Sequence, residues 1–192
     1  SKNFTVNLYL EDWSSGMRDS RDYLFMMMDE LVKLPIKRFL LPDTLGILNP
    51  LQCVEYMRQM VRRYPNSHFD FHAHNDYDLA VSNSLAAVLS GAKGLHVTVN
   101  GLGERCGNAP LASVQVILKD MFGAKTNIKE DRLNDISRLV EGYSGIAVAP
   151  NTPVVGDNVF TQVAGVHADG DNKDKLYCND LVPERFGRHR EY

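Results

Sequence analysis

Short apolar runs alternate along this chain with longer stretches in which apolar residues recur at helical spacing. Phe4 to Leu10 is rich in β-favouring residues and runs into Glu11, Asp12, Ser14, Ser15 and Gly16, which predicts a strand ending in a polar loop. Asp22 to Leu34 is apolar on most faces and stops at Pro35, which predicts a helix buried against a sheet. The same pair recurs three times. Strands are predicted at Lys37 to Leu41, His68 to Phe71 and Gly94 to Val99, each followed by a helix, at Leu51 to Tyr64, Leu79 to Leu89 and Leu111 to Phe122. Strand–helix units repeating at roughly 30 residues imply a parallel sheet with right-handed crossovers.

In every unit the residues with chemical capacity follow the strand, never the helix. Parallel α/β folds place their sites at the carboxyl ends of strands. A closed barrel needs eight such units and about 250 residues, so four correspond to half of one. The expected organisation is four βα units over residues 1–123, then a C-terminal helix and a lid or linker segment over 124–192. Within that second part Arg132 to Tyr143 is predicted helical, Pro150 to Gly156 is punctuated by turn formers, and Val159 to Tyr192 reads as a long functional loop rather than core.

Composition narrows this picture only at its edges. The 192 residues are 44% hydrophobic and 23% charged, which is ordinary for a globular domain and argues against disorder. A net charge of −3 with scattered basic residues gives no footprint for nucleic acid. The three cysteines Cys53, Cys106 and Cys178 are far apart and form no Cys-x-x-Cys pair, so neither a disulfide framework nor a thiolate zinc site is expected. With no apolar run long enough to span a bilayer and no signal-like start at Ser1-Lys2-Asn3-Phe4, the expectation is a cytoplasmic protein without a membrane partner.

Side chains two apart on a strand point the same way, so His72 and His74 would present both imidazoles at one strand end, where they can share a metal. Taken alone, a His-x-His pair is equally one structural and one exposed histidine. Asp43, Thr44, Asn75, Asp76, Asn100, Glu104 and Asn108 are expected at the same rim and would supply oxygen ligands or acceptors behind the ligands. The Asn100 to Asn108 segment (NGLGERCGN) has neither the Lys-Ser/Thr of a P-loop nor dinucleotide-fingerprint spacing. Its glycines are expected to turn the backbone tightly, with Asn108 facing inward. Glu11 and Tyr9 lie two apart at the first strand end, and His167, Asp169 and Tyr177 gather in the late polar segment. Each of these, taken singly, also fits a surface role.

Four motifs then stand in order: Leu41-Pro42-Asp43-Thr44-Leu45-Gly46, His72-Ala73-His74-Asn75-Asp76, Gly101 to Asn108, and Val166-His167-Ala168-Asp169-Gly170. Together they resemble the 2-isopropylmalate, homocitrate and citramalate synthases, metal-dependent TIM-barrel enzymes that condense acetyl-CoA with a 2-oxo acid. The Gly-Glu-Arg form of the loop is similar to the synthases rather than to the related hydroxymethylglutaryl-CoA lyases. The resemblance implies that the four units are the last four of a (β/α)8 barrel. It implies that His72 and His74 bind a divalent zinc, manganese or magnesium ion, with Asn108 close by. It further implies that Thr44 contacts the 2-oxo acid, that Tyr9 lines its side-chain pocket, and that Glu11, His167, Asp169 and Tyr177 serve catalysis.

Within that resemblance His167, oriented by Asp169 with Glu11 nearby, is expected to take a proton from the acetyl methyl group, and Tyr177 to stabilise the enolate or close the lid. The bulk of Tyr9 in Tyr9-Leu10-Glu11-Asp12 resembles citramalate synthases, which take pyruvate; 2-oxoisovalerate, the leucine-pathway substrate, is the alternative. A homodimer is expected of the full-length enzyme. The family's first-strand Asp-Arg-Glu motif has no counterpart here, so the chain by itself is expected to be an incomplete, inactive portion, or a non-catalytic metal-binding or assembly fragment.

Overall fold

A computed structural model describes residues 4–174 and 176–190. The Ser1-Lys2-Asn3 start and the last two residues of the Val159 to Tyr192 segment lie outside the described residues. The chain forms two compact units, residues 1–110 and 111–192. The boundary expected after Gly123 lies one helix further along.

The first unit runs β1 (Val6–Tyr9), α1 (Trp13–Asp19), α2 (Arg21–Leu31), β2 (Ile36–Asp43), α3 (Pro50–Arg63), β3 (Phe69–Ala73), α4 (Ala80–Leu89) and β4 (Gly94–His96). Its four strands pair in sequential order and all in parallel, as successive strand–helix units of a barrel wall must. Strand alternation divides the side chains cleanly. Phe39 and Leu41 of β2 and Phe69, Phe71 and Ala73 of β3 are buried and belong with Trp13, Met28, Met57 and Met60 in the apolar core. Trp13 holds Phe71 and Tyr56 edge-on, each with ring centroids 6.3 Å apart. Full burial of each such side chain contributes about 1.5–3 kcal/mol.

The opposite face carries polar groups in register. Tyr9, Leu40, Asp70 and Gly94 form one row across the sheet, and Pro42, His72 and His96 form the next. This face is concave. In a flat sheet the first and fourth strands would lie about 14 Å apart, yet the Tyr9 hydroxyl on β1 lies 2.9 Å from Nδ1 of His96 on β4.

The boundaries follow local chemistry. Asn49 caps α3 by accepting from Gln52 N at 2.9 Å, Gln52 Oε1 accepts in turn from Asn49 N at 3.1 Å, and Pro50 takes the first helical position. The stretch after β1, expected as a polar loop, is instead the helix α1. Ser14, Ser15 and Gly16 are weak helix formers, but the turn places Trp13 and Met17 fully inside the core, and that burial outweighs propensity. The fourth strand is shorter than expected, ending at His96 before a 3-10 turn at Val99–Gly101.

The second unit contains α5 (Leu111–Phe122), α6 (Leu133–Ser144) and α7 (Gly165–Asp174). Its core joins Ala112, Val116, Leu133, Val154 and Val155 to Phe160 and Phe186, whose rings stack at 5.8 Å. The segment expected to be a loop rather than core therefore contributes two core aromatics and a helix. Its scattered apolar residues, separated by Gly, Asp and Asn, carry no periodicity from which this could be read.

Candidate active site

Every strand of the first unit brings candidate site residues to its carboxyl end. The end of β3 is the centre. His72 and His74 bring their Nε2 atoms to 3.3 Å, with ring planes perpendicular. Burial, aided by the neighbouring imidazoles of His74 and His96, lowers the pKa of His72 to about 4 and keeps that ring neutral at ordinary pH. Neutral imidazole is the form that binds metals.

Two nitrogens each about 2.0–2.1 Å from one tetrahedral ion stand about 3.3 Å apart, so the pair fits a shared cation. Asn108 sits beside them, bridged to His74 through the backbone, and its buried Oδ1 has no hydrogen-bond partner among the described residues. Buried polar atoms seldom stay uncommitted without a ligand or water to meet them. Among the described residues no three His, Cys, Asp or Glu side chains are placed so as to hold a metal ion by themselves. The chain thus offers two imidazoles and an amide oxygen, not a closed cage.

The loop after β4 is folded to hold Asn108 there. Asn108 N donates to Gly101 O at 2.9 Å and its Nδ2 donates to Leu102 O at 3.1 Å. At Gly107, φ is +82° and a Cβ would fall 2.0 Å from Gly101 O; at Gly103 a Cβ would fall 2.1 Å from Asn108 Nδ2. A side chain at Gly107 would collide with the backbone, and one at Gly103 would displace the Asn108 amide. Arg105 then ties three rim loops together. It grips Asp76 with two hydrogen bonds of 2.7 and 2.9 Å and donates to Thr44 O at 2.7 Å. These bonds hold the Asp76 carboxyl below its usual pKa. Glu104 lies 3.7 Å from Arg105 and is exposed.

At the ends of β1 and β2, Thr44 Oγ1 donates to Glu11 Oε1 at 2.8 Å and accepts from Asp12 N at 3.0 Å. Tyr9 has its hydroxyl on His96, whose ring lies 5.9 Å from that of His72. Burial, reinforced by Asp70 and Glu11, raises the Tyr9 pKa and keeps the phenol protonated. Tyr9, Glu11, Thr44, His72, His74 and Asn108 are thus drawn to one end of one sheet. Asp43 and Asn75, expected at the rim as oxygen ligands or as acceptors behind the ligands, accept hydrogen bonds from the backbone. Asp43 is fully buried and accepts from Ile47 N and Leu48 N at 3.0 and 3.1 Å, with burial raising its pKa. Asn75 Oδ1 accepts from Ala80 N at the start of α4.

His167, Asp169 and Tyr177 lie in the second unit. Because residues 165–174 are helical, a spacing of two does not put His167 and Asp169 on one face. Asp169 pairs with Lys173 at 2.7 Å, whereas His167 lies against Tyr177 with ring centroids at 4.5 Å.

Two polar residues on the concave face, Asp70 and His96, are missed by sequence reasoning. Asp70, buried inside β3, contacts His68 at 2.8 Å, Arg38 at 3.3 Å and His96 at 3.6 Å. Their signal is the period of two. Asp70 and His72 share a face, and so do Gly94 and His96.

The curved wall of parallel strands carries two imidazoles and an asparagine at its carboxyl edge, the edge at which barrel folds place their sites. The chain belongs to the HMGL-like family, whose model matches residues 5–140. It is 38% identical over 191 residues to a Methanopyrus kandleri protein named as an (R)-citramalate synthase, covering 98% of this chain and 36% of that protein. It is 43% identical over 177 residues to a homocitrate synthase of Saccharolobus islandicus, covering 92% of this chain and 38% of the relative. The chain therefore spans little more than a third of these relatives' length. Among solved structures it resembles a hydroxymethylglutaryl-CoA lyase of Acinetobacter baumannii, in complex with coenzyme A and 3-methylmalate, at 26% identity and a TM-score of 0.58, covering 81% of this chain and 48% of that one. The fold is α/β and corresponds to part of a TIM barrel.

Proposed function

We propose that this chain carries the metal-binding and 2-oxo-acid-binding side of an enzyme that condenses acetyl-CoA with a 2-oxo acid and releases coenzyme A. The observation that carries the reading is the pair of Nε2 atoms of His72 and His74 facing each other at 3.3 Å at the end of β3. The names of the synthase relatives support it. His72, His74 and Asn108 would hold a divalent zinc, manganese or magnesium ion, which when bound would supply Lewis-acid polarisation of the keto group. The protein's own groups do the rest. The Thr44 hydroxyl, held by Glu11, contacts the 2-oxo acid. Tyr9 walls its side-chain pocket, a bulk that favours pyruvate and hence citramalate. His167 and Glu11 are the candidates to move the acetyl proton, with Asp169 and Tyr177 assisting. Cytoplasmic, homodimeric action in branched-chain amino-acid biosynthesis, toward isoleucine or leucine, completes the proposal, and the free thiols of Cys53, Cys106 and Cys178 suit a reducing compartment.

Coenzyme A release from acetyl-CoA by the full-length enzyme that contains this chain, measured with pyruvate and with 2-oxoisovalerate, tests the reading. Faster turnover of pyruvate supports citramalate formation, and preference for 2-oxoisovalerate supports 2-isopropylmalate formation. Inactivity with both rejects condensation. A second reading, a non-catalytic metal-binding protein, draws on the incomplete ligand set among the described residues. Stoichiometric metal without any coenzyme A release favours it.

A further inference from the structure

On the concave face of the sheet, a chain of contacts runs from a buried carboxylate to the residue proposed to wall the substrate pocket. Asp70 is 2% exposed. Its Oδ1 is held by His68 Nε2 at 2.8 Å, and its Oδ2 faces Arg38 at 3.3 Å and His96 Nε2 at 3.6 Å. The carboxylate reaches across β4 because its register partner there is Gly94, where a Cβ would fall 2.3 Å from Asp70 Oδ1. At the far side of the His96 ring, Nδ1 lies 2.9 Å from the Tyr9 hydroxyl. At 3.6 Å the Asp70 carboxylate lies just beyond hydrogen-bond distance of His96 Nε2, but its negative charge still favours the tautomer that carries hydrogen on the facing nitrogen, which leaves the Nδ1 lone pair to accept from Tyr9. The phenol is thereby fixed at a ring that is itself 5.9 Å from His72.

We propose that His96 is a specificity-positioning residue: braced by Asp70 and accepting the Tyr9 hydroxyl, it holds the phenol as a rigid wall that limits the side-chain length of the 2-oxo acid. This rests on the reading of Tyr9 and the imidazole pair given above. A free tyrosine swings aside for a longer side chain, whereas a tethered one excludes it by overlap. His96 therefore acts through Tyr9 and does not touch the reacting atoms.

Two measurements on the full-length enzyme that contains this chain test this. In the ¹⁵N-histidine-labelled protein, the His96 resonance, assigned by its loss in His96→Gln, is expected to report hydrogen on Nε2 only, with the Nδ1 signal shifting in Tyr9→Phe. A protonated Nδ1, or an even tautomer mixture, overturns the proposal irrespective of activity. In the coenzyme A assay, His96→Leu is expected to raise the specificity constant for 2-oxobutanoate, relative to that for pyruvate, about tenfold, the scale of one methylene in a selective pocket. The change is expected in KM rather than in kcat. His96→Gln keeps an acceptor for Tyr9 and a donor for Asp70, so it restores the parent ratio. An unchanged ratio in His96→Leu overturns the positioning role. If the unsubstituted protein releases no coenzyme A with either acid, the functional reading falls and the specificity role falls with it, while the tautomer still decides the geometry.

Discussion

His72 and His74 meet because a strand repeats every two residues, and the meeting can be used only if both rings are neutral. Burial among imidazoles secures this for His72. Replacing either with alanine removes one of two nitrogen ligands, so His72→Ala and His74→Ala are each expected to weaken zinc or manganese binding by at least about 100-fold, a loss larger than removal of a supporting residue behind the ligands. Metal analysis after dialysis, with circular dichroism to show retained fold, checks this; unchanged metal content would make the pair structural. Asp43 is a different kind of residue. It is buried to receive two backbone N–H groups, so Asp43→Asn, which keeps one acceptor, is expected to destabilise the first unit by about 1–3 kcal/mol in denaturant melts. The imidazole pair can be read from the sequence because spacing alone sets its direction. The meeting of Asp70 with His96 cannot, since it depends on the register of β3 against β4, which no local pattern encodes.

Elements with two agreeing signals are the ones the sequence discloses. For α3 the apolar period, Asn49, Pro50 and the terminal Arg62 and Arg63 all point the same way. Asn49→Ala removes the side-chain acceptor for Gln52 N and is expected to cost about 1 kcal/mol in thermal or chemical unfolding. In α1 the signals conflict, and a seven-residue helix with no side-chain cap survives on packing alone. Trp13→Ala is therefore expected to cost about 3–5 kcal/mol, far more than any change of propensity in that helix, and to melt α1 before the rest of the unit in hydrogen exchange. The same conflict hides α7, where Gly165, Gly170, Asp169 and Asp171 favour loops and where His167 and Asp169 have a strand-like spacing that the helix does not keep on one face.

At the scale of the whole molecule, the two units are stabilised by different physics. The first is an apolar layer against a sheet, whereas the second joins a small aromatic core to a cluster of charges. Arg185 makes two hydrogen bonds to Asp120 at 2.8 and 2.9 Å and two to Glu130 at 3.1 Å, and Lys119 adds a fourth charge at 2.6 Å from Glu130. Desolvation is the largest influence on Glu130 and opposes its ionisation, but the bonds from Arg185 and Lys119 together outweigh it and leave the pKa below its ordinary 4.5. A carboxylate whose folded pKa is depressed contributes stability that is complete above the unfolded value and is lost as pH falls through the folded one. The second unit should thus hold constant stability from neutrality down to about pH 5 and weaken below 4.5, as amide exchange along α5 and α6 would record. Arg185→Met leaves Asp120 and the nearly buried Glu130 without their shared cation and is expected to cost about 3–5 kcal/mol at pH 7. That penalty should shrink on acidification as Asp120, and Glu130 with Lys119 as its remaining cation, take up protons, because neutral acids tolerate burial that anions do not. A penalty independent of pH would mean that Arg185 acts through its packing against Phe186 rather than through charge.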